Sequence, residues 1–201
     1  MNRFAKLALV AGIPALLVVG FVLRSHATFP KETTPEGAYA RIAVAIAAGH
    51  PRDCFAYLET KAQWAAYTVH DYRAKAAARI AATYPEPERS AMLSTYRREA
   101  EAADGADVWV FLAETRGWVA RLRRDLSGIE HVEVSGERAT IETARGTRYP
   151  FRVRDNGIWG LSIFTAELVA EAEKASRDFD IVQRAADDYE SAARASGVGE
   201  R

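Results

Sequence analysis

The clearest hydrophobic pattern in the chain is an alternation of apolar and polar residues between Ile129 and Phe164. A period of two places one set of side chains on a buried face and the other set in solvent, which is typical of an antiparallel sheet packed on one side. Gly-containing turns separate the runs, so the pattern predicts a four-stranded antiparallel meander. The apolar positions are Val132, Val134, Ala139, Ile141, Tyr149, Phe151, Val153, Trp159, Leu161 and Ile163.

One residue restricts where the third of these strands can lie. Pro150 has no backbone N–H and cannot donate a hydrogen bond to a neighbouring strand. We therefore expect this strand to lie at an edge of the sheet or to contain a bulge at the proline.

The chain before the sheet has apolar residues at helical spacing. Thr33 can cap a first helix, Pro35 suits its first turn, and Glu36 completes a capping box. Gly49 is expected to end this helix. Further helices are predicted over residues 51–58, 60–83, 86–103 and 106–126. The last is open, because Gly117 could split it and its continuous apolar run could instead be a strand.

A final helix is predicted from Thr165 to about Ala195, with a frayed tail to Arg201. From Leu168 to Ala193, apolar residues follow alternating steps of four and three, which is heptad spacing. We call these positions the heptad seam; they are Leu168, Ala172, Ala175, Phe179, Val182, Ala186, Tyr189 and Ala193. Such a seam packs either along its own domain or against a partner helix, so self-association is an alternative. The fold class predicted is α+β, with N-terminal helices packed on the meander and a long helix after it.

The N-terminus is predicted to enter or cross a membrane. Arg3 and Lys6 precede an uncharged run, Leu7–Leu23. As a helix this run spans about 25 Å, against about 30 Å for a bilayer core. Ser25-His26-Ala27 has small residues where a signal peptide would be cleaved. The segment either remains as a single-pass anchor in the cytoplasmic membrane, with the body outside the cytoplasm, or is cleaved near Ala27 to release a periplasmic or secreted protein.

These features divide the chain into a membrane anchor or signal peptide over residues 1–27, a spacer over 28–33, an α+β domain over 34–164 and a C-terminal helix and tail over 165–201. Cations and anions balance at 27 each, and cleavage after Ala27 removes three cations and no anion, which leaves a net charge of −3. We therefore expect no nucleic-acid partner. The strand residues Arg148 and Arg152 can be neutralised by glutamates across the sheet.

Recognisable cofactor chemistry is absent from the sequence. Cys54 is the single cysteine, so the chain has neither an intramolecular disulfide nor a multi-cysteine metal site. We expect it to be a small buried residue. Histidines and carboxylates lack metal-ligand spacing, and no phosphate-binding glycine loop or hydrolase motif is present. No cofactor and no metal are therefore expected.

The order of these elements resembles a known superfamily. The residues behind the resemblance are Thr34-Pro35-Glu36-Gly37-Ala38-Tyr39, Val134-Ser135-Gly136-Glu137-Arg138-Ala139-Thr140, Tyr149-Pro150-Phe151 and Asn156-Gly157-Ile158-Trp159-Gly160-Leu161. Amphipathic helices followed by a meander that ends near a tryptophan resemble exported bacterial members of the NTF2-like superfamily, an α+β cone. The resemblance covers about residues 33–164. It implies a conical cavity that in some relatives holds Asp, His or Tyr as acid or base, and in many others only binds a ligand or a partner.

Four residues are candidates to line a pocket in such a cone: Trp64, His70, Asp71 and Trp159. A histidine near a carboxylate could transfer protons. Adjacent residues on a helix do not face each other, however, so an ordinary position at the edge of the apolar stripe is the competing interpretation of His70. The function predicted is ligand or protein binding or scaffolding. The alternatives are a small acid/base enzyme of the lyase or isomerase type and a helix-mediated oligomerisation module.

Overall fold

The computed structural model describes residues 30–198, in which helices pack on a four-stranded antiparallel sheet and a helix of 34 residues follows it. The α+β class is therefore confirmed. Among the described residues, none of the helices combines the length and the apolar character that crossing a bilayer requires. The predicted membrane segment Leu7–Leu23 and the cleavage position near Ala27 lie outside the described residues.

The elements follow the predicted order. They are α1 (Pro35–Ala48), a 3₁₀ helix (Pro51–Tyr57), α2 (Thr60–Thr83), α3 (Glu88–Ala100), α4 (Gly105–Thr115), α5 (Trp118–Asp125), β1 (Ile129–Ser135), β2 (Arg138–Thr143), β3 (Arg148–Val153), β4 (Trp159–Leu161) and α6 (Thr165–Val198). Residues 106–126, for which one helix, a helix split at Gly117 or a strand were possible, form two helices. Gly117 separates them with a φ of 70°. This is a left-handed conformation that glycine adopts without steric cost.

The start of α1 differs from the prediction by one residue. Thr34, not Thr33, is the N-cap, and its Oγ1 accepts a hydrogen bond from the N–H of Gly37 at 3.1 Å. Glu36 therefore lies one position too early to complete a capping box. The predicted stop at Gly49 is confirmed, because this residue has a φ of 78° and its N–H bonds back to the last turn. Both features are typical of a glycine that ends a helix.

The sheet is a meander in the order β1-β2-β3-β4, as predicted. β2 and β3 bury one face and β4 is buried on both, whereas β1 is exposed except at Val132, which is half-buried against the main core. Val134, expected on the buried face, is 56% exposed. It lies opposite Ala139 at the hairpin end of the edge strand, which has a sheet neighbour on only one side. The alternation of β1 therefore predicted burial correctly at Val132 in part, and wrongly at Val134.

Neither alternative predicted for the strand containing Pro150, an edge position or a bulge, is found, because its register with β2 is continuous through Thr140 and Pro150. β3 lies between β2 and β4 in the sheet. Pro150 is tolerated there because β4 ends at Leu161, just before Ser162, whose N–H donates to the Pro150 carbonyl at 3.0 Å. The carbonyl and nitrogen of one strand residue point to the same side. The proline nitrogen therefore faces the carbonyl of Ser162, which already accepts a hydrogen bond from the N–H of Thr165 at 3.1 Å.

Large side chains fill the space between the sheet and the helices. Trp109, Tyr149, Phe151 and Phe164 are at most 2% exposed. The ring of Tyr149 lies 5.9 Å from that of Tyr39 on α1, with the rings tilted. The inner face of the sheet therefore contributes to a closed hydrophobic core.

The long helix α6 packs along the chain itself, largely against α2. In the heptad seam, Leu168 and Ala175 join the main core, whereas Val182 and Ala186 join a second, smaller cluster with Ile80 of α2. Ala193, the last seam residue, is exposed. The first of the two alternatives for this seam, packing along its own domain, therefore describes most of its length.

Candidate functional site

The four residues predicted to line a pocket lie in different environments. Trp64 is 69% exposed on α2, whereas Trp159 is 7% exposed on β4 and forms part of the main core. His70 is half-buried on α2, and its Nε2 donates to the carbonyl of Ala102 at 2.9 Å. Asp71 is exposed and its Oδ2 lies 2.6 Å from Nζ of Lys75, one turn along the helix. His70 and Asp71 therefore have separate partners and do not form a proton-transfer pair with each other in this conformation.

Several arginine side chains near the sheet and α6 are paired with carboxylates. Arg148 lies 3.7 Å from Glu133 across the sheet, in agreement with the predicted neutralisation. Arg116 pairs with Glu167 and Glu171 of α6. Arg152, predicted to be neutralised by a glutamate across the sheet, instead lies 3.8 Å from Glu59 at the start of α2.

A surface cleft of about 490 Å³ lies between the 3₁₀ helix, α2 and the start of α4. We call it the aromatic cleft. Phe55 and Tyr57 come from the 3₁₀ helix and Tyr67 comes from α2. The rings of Phe55 and Tyr67 meet edge to face, with 5.7 Å between centroids. Phe55 is 8% exposed and anchors the cleft floor, whereas Tyr67 is 47% exposed and forms its wall.

Glycine at position 105 determines how closely α4 approaches Tyr67. A Cβ at this position would lie 2.8 Å from the Tyr67 ring and from its backbone nitrogen. Any side chain would therefore displace the start of α4 from α2. Trp64 lies one turn before Tyr67, and residues three apart share a helix face. The exposed indole of Trp64 thus extends the aromatic surface along α2.

Carboxylates dominate the rim of the aromatic cleft. Asp104 caps α4 and accepts hydrogen bonds from the N–H groups of Ala106 and Asp107. Arg52 contacts Asp104 at 2.6 Å and Asp107 at 2.7 Å. Although burial opposes ionisation, the N–H donors and Arg52 keep the pKa of Asp104 below its usual value. The Arg52 charge is thereby shared between two carboxylates.

Two further acidic groups lie close by. Asp53 lines the cleft, and the hydroxyl of Tyr57 donates to Glu32 at 3.2 Å. Burial, and then the charge and hydrogen bond of Glu32, raise the pKa of Tyr57. Glu32 is itself paired with Arg41 at 3.7 Å. Because Arg52 is shared by Asp104 and Asp107, the negative charge of the cleft lining comes from Asp53 and Asp104. Aromatic faces beside carboxylates attract cationic and apolar groups.

Part of the surface formed by the aromatic cleft and Trp64 was predicted from the sequence. Trp64 was a pocket candidate, but it was expected to line an interior cavity. Residues of the 3₁₀ helix and Asp104 were missed, because more than 45 positions separate Tyr57 from Asp104 in the chain. The one available indication was the N-capping chemistry of Asp104 before a glycine, which marks a helix start and not a cleft.

Neither metal-ligating side chains nor the thiol of Cys54 forms a second candidate site within the described residues. Within residues 30–198, no group of three or more His, Cys, Asp or Glu side chains is placed to hold a metal ion. Cys54 is 1% exposed, and its Sγ lies 3.8 Å from the carbonyl of Ile42. Burial, and then the charge of Asp53, raise the pKa of the thiol to about 12. The prediction of a small buried residue is confirmed.

Comparison with known proteins gives no match to a family model, a curated protein or a solved structure.

Proposed function

We propose that this chain is a binding module whose aromatic cleft, together with Trp64, docks a protein partner. The observation that carries the proposal is the exposure of Trp64. Its indole is 69% exposed, whereas Trp109, Trp118 and Trp159 are all at most 7% exposed. Tryptophan and tyrosine contribute most binding energy at protein interfaces, where they are enriched among hot spots. An indole that stays exposed in the free chain is available for a partner to bury.

The partner that fits is a segment with a lysine or arginine next to an apolar side chain. The apolar group would pack on Trp64 and Tyr67, and the cation would lie near Asp53 and the Asp104 carboxylate. Charge complementarity of this kind sets specificity and speeds association. A cleft of about 490 Å³ admits one or two side chains, so we propose an exposed peptide segment as the ligand.

An acid/base enzyme in a conical cavity has less support. The inner face of the sheet is covered by packed aromatic side chains, including Tyr149 and Phe151 at 2% and 1% exposure. His70 donates from Nε2 to a backbone carbonyl, which employs that nitrogen in a structural contact. Around the aromatic cleft, Asp104 and Asp107 are both held by Arg52 in ion pairs.

We further propose that the module is an NTF2-like domain that acts outside the cytoplasm. The order of helices and strands and the motifs from Thr34 to Leu161 support this resemblance, and the apolar run Leu7–Leu23 supports export or anchoring. Sequencing the N-terminus of the protein purified from the membrane and soluble fractions of its host tests the proposal. An N-terminus at Thr28 would indicate cleavage, and an intact Met1 in the membrane fraction would indicate an anchor. A full-length protein found in the cytoplasm would contradict both.

A displayed library of random peptides tests the binding proposal while the natural partner is still unidentified. The full chain in detergent is used as bait, and the Trp64→Ala variant serves as the counter-selection. We expect wild-type bait to enrich peptides in which Lys or Arg adjoins an aromatic or aliphatic residue. Truncation of a hot-spot tryptophan should weaken a selected peptide by about thirtyfold, which corresponds to about 2 kcal/mol.

Two variants distinguish binding at the aromatic cleft from binding in a conical cavity that contains His70. Asp53→Asn should weaken the same peptide because it removes a cleft carboxylate, whereas His70→Gln should leave its affinity unchanged. Enrichment of acidic peptides, or a peptide sensitive to His70→Gln but not to Trp64→Ala, would contradict the proposal.

A further inference from the structure

A second cleft, of about 600 Å³, lies where the first turns of α2 and α6 meet the exposed face of β3. It is distinct from the aromatic cleft. Its polar lining consists of Glu59, Lys61, Arg152, Ser162 and Thr165. We call it the helix-start cleft. Four of these five side chains can donate hydrogen bonds, whereas the carboxylate of Glu59 can only accept them.

A close backbone contact brings the two helix starts together. The N–H of Glu59 donates to the carbonyl of Leu161 at 3.1 Å, so the residue before α2 pairs with the last residue of β4. Gly160 makes this approach possible, because a Cβ there would lie 2.5 Å from the Glu59 Cα. From Leu161 the chain reaches Thr165, the first residue of α6, after three residues. The positive ends of two long helix dipoles thus lie on one cleft.

The start of α2 lacks a side-chain cap. Glu59 is the N-cap residue of this helix of 24 residues, and its side chain makes no capping hydrogen bond. Backbone N–H groups in the first turn of a helix have no acceptor within the helix. A bound anion satisfies such groups and interacts favourably with the helix dipole.

A buried hydroxyl gives an independent indication of a ligand. Thr165 is 9% exposed, and its Oγ1 is buried without a hydrogen-bond partner. A buried polar group without a partner destabilises the folded chain, because it has lost its hydrogen bonds to water. The residue lines the helix-start cleft, and a rotation of its side chain brings this hydroxyl to a ligand bound there.

Charges in the cleft have both signs. Nε of Arg152 lies 3.8 Å from Oε2 of Glu59, and the Glu59 side chain is 11% exposed. This separation is too long for a hydrogen bond. Lys61 adds a second cation. A fully ionised anion would meet the carboxylate of Glu59 unfavourably. An anion that keeps one proton would instead donate that proton to Glu59 and accept from the other groups.

We propose that the helix-start cleft binds hydrogen phosphate. Arg152, Lys61 and the first-turn N–H groups of α2 bind its charged oxygens, the hydroxyls of Thr165 and Ser162 complete the shell, and Glu59 accepts the hydrogen bond of the P–OH group. Near neutral pH, phosphate retains a proton and sulfate does not, so Glu59 selects phosphate over sulfate. A phosphodiester, as in a lipid headgroup, also lacks this proton and is rejected.

Calorimetric titration of the full chain in detergent with inorganic phosphate, sulfate and dimethyl phosphate tests the proposal. We expect saturable binding of phosphate, and binding at least about tenfold weaker for sulfate and for dimethyl phosphate. Glu59→Gln is nearly isosteric but can donate a hydrogen bond, so it should weaken phosphate, strengthen sulfate and remove the discrimination. Lys61→Met, on the exposed surface of α2, should weaken phosphate by about tenfold.

Arg138→Met is the matched control, because Arg138 lies opposite Arg152 on β2 but does not line the cleft. It should leave phosphate affinity unchanged. Thermal melts of each variant establish that it is folded. Equal affinities for phosphate and sulfate, preference for the diester, or the absence of saturable phosphate binding by the folded wild-type chain would overturn the proposal.

Discussion

The two ends of this domain are stabilised by different means. At the sheet end, large aromatic side chains fill the core, and Trp109, Phe151 and Phe164 are at most 1% exposed. At the far end, where the second halves of α2 and α6 meet α3, the buried cluster is small. It consists of Ala76, Ile80, Tyr84, Tyr96, Val182 and Ala186.

Ion pairs and ring contacts supplement the small helical cluster. Arg73, 4% exposed, lies 2.7 Å from Asp178 of α6 and 4.6 Å from the centre of the Tyr96 ring. Tyr84 and Tyr189 meet edge to face at 5.0 Å. Because apolar burial provides most folding free energy, the helical end should open locally at a lower free-energy cost than the sheet end.

The largest expected effect is at the sheet end. Trp159→Ala should lower the free energy of unfolding by about 3–5 kcal/mol, because it leaves a cavity in a packed core. Chemical denaturation of the variant and the wild-type chain measures the difference. A loss below about 1 kcal/mol would show that the sheet does not pack on the helices as described.

The thiol of Cys54 reports on the same core. Its pKa is raised to about 12. The native thiol should therefore react with a thiol reagent at mildly alkaline pH at least about a hundredfold more slowly than in denaturant. The folded chain holds this proton more tightly than the unfolded chain, so the contribution of Cys54 to stability should fall as the pH rises through the ordinary thiol range. Equal reaction rates in the folded and denatured chain would contradict the burial.

A smaller effect is expected at the helical end. Arg73→Ala should cost about 2 kcal/mol, because it leaves the partly buried Asp178 without its partner. Arg177→Ala is the matched control, since it removes an exposed pair with Glu173 on α6. The control should change stability by less than about 0.5 kcal/mol. Similar losses for both variants, measured by chemical denaturation, would remove the distinction between buried and exposed pairs at this end.

The smallest effect on stability belongs to the proposed binding surface. Trp64→Ala should change the free energy of unfolding by no more than about 0.5 kcal/mol, because the indole makes little buried contact. Thermal and chemical denaturation measure this. A loss comparable to that of Trp159→Ala would mean that Trp64 supports the fold and is not held for a partner.

The sequence predicted most helices and strands correctly, because apolar residues repeat at a regular spacing within each element and a glycine or turn residue ends it. Gly49 and Gly117 ended helices as expected, and the alternation of β2 and β3 matched their burial. The alternation of β1 matched burial at Val132 but not at Val134, because Val134 lies at the end of an edge strand. The position of a strand at an edge depends on pairing that no single strand specifies. Pro150 was misplaced for a related reason: the end of β4, and not the position of β3, made room for it.

The binding surfaces were harder to predict. Trp64 has the same residue type as Trp159, and only tertiary packing decides which indole is buried. Similarly, the helix-start cleft depends on the contact between Gly160 and Glu59, two residues about 100 positions apart. The spacing of apolar residues along the chain does not indicate contacts between residues so far apart.

Solute quenching of tryptophan fluorescence, with and without a peptide selected on the wild-type chain, measures whether Trp64 is covered by a bound partner. We expect acrylamide to quench a fraction of the emission that comes from Trp64, bound peptide to protect this fraction, and Trp64→Phe to remove it. A peptide that binds tightly while Trp64 remains fully quenchable would contradict the claim that this tryptophan is the docking surface.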